Sequence, residues 1–157
     1  MQKHKKHIVF IIFAVLFYFL FVLNEKIENG GIYDEIKIKC ATPGNPVLAP
    51  SEKYRLIVTE GDDGTAGYNK FSIAGAGRSS DTFEVVFESK DRYRTRDALF
   101  FLWGKNDTVW VYSGDTGTYY WEKTGEKIWT KTSFYEKPSE PPELLVRLKP
   151  RSFEKNN

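Results

Sequence analysis

The sequence predicts an all-β protein, a small antiparallel β-sandwich or partly closed barrel with a meander in its C-terminal half, preceded by one transmembrane helix. Three observations predict it. Sixteen consecutive residues near the N-terminus, Ile8 to Leu23, carry no charge, proline or glycine. After them, apolar residues alternate along short runs instead of recurring at helical spacing. In the C-terminal half those runs are joined by turns of three to five residues that hold Gly, Asn or Asp. At 157 residues the chain has room for one domain and an appendage.

Residues 1–7 (MQKHKKH) form a basic head with Lys3, Lys5 and Lys6, and residues 8–23 (IVFIIFAVLFYFLFVL) form the expected anchor. A helix of that length covers about 24 Å, short of a hydrocarbon core of roughly 27–30 Å. Lys6 and Lys26 flank the run, and their long stems can reach the interfaces. Insertion of its Ile, Leu, Val and Phe side chains is favourable by about 5 kcal/mol. A cleaved signal peptide is the main rival; the residues that follow, NEKIENGG, lack the small-x-small site that cleavage requires. A lipoprotein signal needs a cysteine at the end of the run, and the single cysteine, Cys40, lies seventeen positions beyond Leu23. Lysines precede the run, whereas Glu25, Lys26 and Glu28 follow it. The expected topology is a single pass, N-terminus cytoplasmic and C-terminal domain extracytoplasmic.

Residues 24–31 read as a juxtamembrane linker, residues 32–149 as the β domain and residues 150–157 as a frayed tail. Ile32 to Lys39 (IYDEIKIK) places three isoleucines on one parity and predicts a first strand, with Cys40 a buried thiol at its end. Ala41 to Glu52, with three prolines and a glycine, predicts a loop. Tyr54 to Thr59 predicts a strand, Gly61 to Gly67 a turn, Phe71 to Ala74 a short strand and Gly75 to Asp81 a loop. Thr82 to Glu88 alternates Phe83, Val85 and Phe87 against glutamates and predicts a half-buried strand.

Ala98 to Trp103 is bulky on both parities, as in a central strand. GKNDT, GDTG and TGE then lead into Val109–Ser113, Thr118–Lys123 and Lys127–Thr132, giving a four-stranded antiparallel meander. Such short joints leave no room for a βαβ crossover. No internal repeat recurs, which excludes a propeller or solenoid. After Pro138, Pro141 and Pro142, Leu144 to Leu148 predicts a closing edge strand.

Chemistry is narrowed mainly by what is missing. The only histidines, His4 and His7, lie in the basic head, so the outer domain holds no histidine for a catalytic triad or a histidine zinc site. One cysteine makes neither a disulfide nor a thiolate cluster, and no phosphate-binding glycine motif occurs. No cofactor or metal is expected; Asp62, Asp63, Asp107 and Asp115 lack the spacing of a calcium loop. Without the lysines of the head, 20 basic residues face 21 acidic ones, which gives no reason to expect a nucleic-acid partner.

Two features mark candidate binding residues. The meander carries Trp110, Tyr112, Tyr119, Trp121 and Trp129, which either fill the core or leave an aromatic face for a sugar ring or a protein. Arg92, Arg94 and Arg96 alternate in KDRYRTRD, so an extended backbone would point all three toward one acidic ligand or headgroup, unless neighbouring carboxylates answer them. Asn106-Asp107-Thr108 fits a glycosylation acceptor, relevant only in a eukaryotic secretory compartment. The expected role is a membrane-tethered domain that works by binding a protein partner at the membrane, of accessory, inhibitor or immunity type. Glycan or cell-wall binding is the alternative. Hydrolysis by paired carboxylates among Glu84, Glu88 and Glu122 is the enzymatic one.

Overall fold

The computed structural model of the protein describes residues 15–18, 30–76 and 84–154. The chain divides into two units, Met1–Ile36 and Lys37–Asn157. In the first, residues 15–18 are helical with exposed side chains, and the rest of the expected anchor lies outside the described residues. Among the described residues no helix is long and apolar enough to cross a membrane.

Residues 30–39 are helical (α1), not the strand that the parity of the isoleucines predicts. The half-buried positions are Ile32, Glu35 and Ile36, spaced three and four apart as on one helical face. Asp34, which shares the parity of the isoleucines, faces outward on this helix.

The second unit is mostly β, with two antiparallel sheets stacked as a sandwich. Cys40–Ala41 (β1), Leu99–Trp103 (β7), Val109–Ser113 (β8), Gly117–Lys123 (β9) and Trp129–Ser133 (β10) form one sheet in the order β1-β7-β8-β9-β10. The meander is therefore present as read, with β1 added on its edge through the pairs Cys40↔Leu102 and Ala41↔Phe101. Val47–Leu48 (β2), Tyr54–Asp62 (β3), Gly67–Gly75 (β4) and Val85–Glu88 (β5) form the other sheet in that order, with Tyr93–Arg94 (β6) also pairing β4. Part of the expected Gly75–Asp81 loop and the start of the Thr82–Glu88 strand lie outside the described residues.

The β3–β4 hairpin is longer than its glycines suggest. It runs to Asp62↔Gly67 because the reversal is confined to Asp63–Ala66. There the Asp63 carboxylate accepts from the backbone N–H groups of Thr65 and Ala66, both at 3.1 Å, and Gly64 takes the left-handed backbone at φ +82°.

Inward-facing residues of both sheets make the main core: Leu56, Val58, Phe71 and Ile73 against Phe101, Val109, Val111 and Trp121. Rings meet edge to face across it, Phe71 with Trp121 at 4.9 Å and Tyr54 with Trp129 at 5.7 Å. The opposite face of the meander sheet is covered too. Glu143–Leu148 is a helix (α2) rather than an edge strand, and it buries the adjacent Leu144 and Leu145, which a strand would send to opposite faces. Pro142, at φ −57°, fits the start of a helix. Phe153, expected in a frayed tail, follows the 3₁₀ turn Pro150–Ser152 and packs on Phe134 at 5.0 Å.

Candidate functional site

Two surfaces of the second unit carry features that packing alone leaves open. The first is an open groove of about 890 Å³ where the chain enters the sandwich. One wall is Ile38 with Val47, Leu48 and Pro50 from the β2 segment; the floor is Leu102 and Trp103. The other wall is Pro141, Pro142, Leu144 and Val146. On its lips Ile38 is 72% exposed and Leu48 44%. The polar groups of the lining answer one another: Trp103 donates its indole N–H to the carbonyl of Val47 at 2.9 Å, and Lys105 pairs with Glu140 at 2.6 Å.

No local sequence pattern predicts this groove. Val47 and Leu48 stand in the expected proline loop, Pro141 and Pro142 just before the expected edge strand, and Ile38 in the expected first strand. The available signal was two large aliphatics inside ATPGNPVLAP, where a solvated loop has no need of them.

The second surface lies on the outer face of the β2–β5 sheet, at the tip of the β3–β4 hairpin. Gly61 pairs with Tyr68 across the hairpin, and the Tyr68 ring lies over Gly61 in the space a Cβ would take. Arg92 is exposed and stacks its guanidinium 4.8 Å from the centre of that ring. Arg94 turns instead to the hairpin tip, 3.1 Å from Asp63. The Thr65 hydroxyl and the N–H groups of Ala66 and Thr65, with Arg94, hold the Asp63 carboxyl far below the usual carboxylate range. Arg96 sits in the turn that follows β6 and faces Asp97 at 3.9 Å. The three arginines thus do not form one fork, because the extended backbone ends at Arg94.

The five aromatic candidates divide between the two faces of the meander. Trp121 and Trp129 are buried in the main core. Trp110 is buried on the other face, stacked on Tyr120 at 5.0 Å. These three tryptophans present no face to a ligand. Tyr112 and Tyr119 remain half-exposed, each beside a lysine: Lys149 Nζ lies 5.3 Å from the Tyr112 ring and Lys131 Nζ 4.1 Å from the Tyr119 ring.

The carboxylates weighed for hydrolysis each face a lysine. Glu84 meets Lys127 at 2.8 Å, Glu88 meets Lys70 at 3.8 Å and Glu122 meets Lys137 at 3.9 Å. The hydrogen bond and charge of Lys127 hold the Glu84 carboxyl below its ordinary range. At the open side of the sandwich Lys131 reaches from β10 to Asp91 at 2.8 Å, and Asp91 also accepts from the Tyr93 hydroxyl at 3.4 Å. Burial first, then the charge of Asp91, pushes the Tyr93 phenol above its ordinary range, so it stays a neutral donor. Among the described residues no group of three or more His, Cys, Asp or Glu is placed to hold a metal ion.

No protein-family model, curated relative or solved structure matches the chain.

Proposed function

We propose that this chain is a membrane-tethered, extracytoplasmic β domain that works by binding a protein partner at the membrane surface, as an accessory, inhibitor or immunity-type protein does. The tether is the uncharged run of residues 8–23 behind three lysines. The observation that carries the binding part of the reading is the stack of Arg92 on Tyr68. An exposed arginine laid over an aromatic ring is pre-organised, and Arg and Tyr are the residue types over-represented where interfaces draw their affinity. Arg94 is held by Asp63 immediately beside it, so the surface is shaped before a partner arrives.

The stack also sits far from where the chain enters the sandwich. Leu56 pairs with Val47 beside the groove, and Gly61, five residues further along β3, pairs with Tyr68. That separates the two surfaces by about 17 Å along the strand. A tether raises the effective concentration of the domain toward membrane neighbours, so a modest contact suffices.

Crosslinking in intact cells, followed by co-purification of the full chain in mild detergent, tests the reading. A defined partner recovered with the parent chain and lost with Arg92→Ala supports it. Recovery of the monomer alone, or of the same partner with Arg92→Ala, contradicts it.

A further inference from the structure

We propose that the groove between Leu48 and Val146 takes the acyl chains of bilayer lipid, seating the domain on the membrane with the Arg92–Tyr68 stack turned away from it. This rests on the anchor reading of residues 8–23, and three observations carry it further.

The first is reach. From Leu23 to Ile38 the chain has fifteen residues. Residues 30–38 are helical and span about 12 Å; the seven steps before them span at most roughly 24 Å. The groove lip therefore stays within about 36 Å of the bilayer edge in every arrangement of the tether. A tether of that length lets the groove reach the surface.

The second is the lip itself. Ile38 and Leu48, on one wall of the groove, are large aliphatics left 72% and 44% exposed. They extend an apolar lining of Val47, Leu102, Trp103 and Val146 out to solvent. Such a lining gains when a hydrocarbon chain takes it out of water.

The third is the state of the polar groups. A peptide laid in the groove would bring backbone donors and acceptors that need partners. The Trp103 indole N–H is already given to Val47, and Lys105 and Glu140 already neutralise each other. Hydrocarbon asks for no partners. The rim also carries Lys39 and Lys105 against Glu140 and Glu143, a balanced set that selects no headgroup charge. Occupancy is therefore expected from zwitterionic lipid alone.

The test uses the full chain reconstituted in phosphatidylcholine vesicles doped with a phosphatidylcholine that bears a diazirine on its acyl chain. After photolysis the protein is digested and the labelled peptides are mapped. The proposal predicts label in residues 8–23 and also in the peptides holding Leu48 and Val146. Leu48→Glu is predicted to abolish the groove label and to leave the label in 8–23, with an unchanged near-ultraviolet circular dichroism spectrum showing that the fold is kept. Label confined to 8–23 overturns the groove proposal while the anchor stands. Label in neither place overturns both. Groove label that persists in Leu48→Glu also overturns the proposal.

Discussion

Asp107 holds Ser51 with both of its carboxylate oxygens, accepting from the backbone N–H at 3.0 Å and from the hydroxyl at 2.5 Å. The two residues stand 56 positions apart, one in the turn after β2 and the other in the turn between β7 and β8. Their contact ties one sheet to the other at the end of the sandwich beside the groove. Asn106 and Asp107 have φ of 55° and 57°, so this five-residue turn is left-handed at both positions.

Asp107→Ala removes both bonds and puts an ordinary side chain in the left-handed region. The expected loss is about 1–3 kcal/mol. Asp107→Gly loses the bonds but adopts that backbone freely, so it is expected to fall between Ala and the parent chain. Denaturant unfolding of the detergent-solubilised chain orders the three.

Tyr68 covers Gly61 so closely that a Cβ there would collide with the end of its ring. Gly61→Ala is expected to lift the ring, loosen Arg92 and cost about 1–3 kcal/mol. In a Tyr68→Ala background the same substitution is expected to cost much less, and the double-mutant cycle of thermal stabilities isolates that coupling.

Asp63 gives the stability a defined response to acid. Its folded-state carboxyl is held below the unfolded value of about 3.9. Its contribution is therefore complete above the unfolded value and is lost as pH falls through the folded one. Asp63→Asn is expected to be less stable than the parent at neutral pH, with the gap shrinking as pH drops below about 4. Urea midpoints measured across that range check the sign.

Trp110 and Tyr112 alternate on one strand face yet differ in what covers them. Trp110→Ala is expected to cost about 3–5 kcal/mol, since it opens a cavity beneath Phe134 and Tyr120. Tyr112→Ala, at a half-exposed ring beside Lys149, is expected to cost about 1 kcal/mol. Equal small effects at both positions would show that Trp110 is not covered.

The meander was legible because each of its turns carries Gly, Asn or Asp and its strands are bulky and alternating; register then follows from turn length. The helix over residues 30–39 was not, because Ile32, Ile36 and Ile38 satisfy a strand parity while Ile32 and Ile36 also satisfy a helical spacing. Leu144 to Leu148 is too short for periodicity to separate helix from strand. The burial of Trp110 depended on the C-terminal segment: the Tyr120 ring stacked on it donates its hydroxyl to the carbonyl of Lys137 at 2.9 Å, a contact that no local pattern announces. The groove likewise joins residues from three distant stretches, and only the folded chain assembles it.

Whether residues 8–23 hold this domain on the outer side of a membrane is tested most directly by protease digestion of intact cells followed by alkaline carbonate extraction. External protease is expected to remove the β domain, while a fragment containing residues 8–23 stays in the carbonate-resistant membrane pellet. A protein released into the soluble fraction with its first residues near Glu25, or a β domain protected until the cells are lysed, would contradict it.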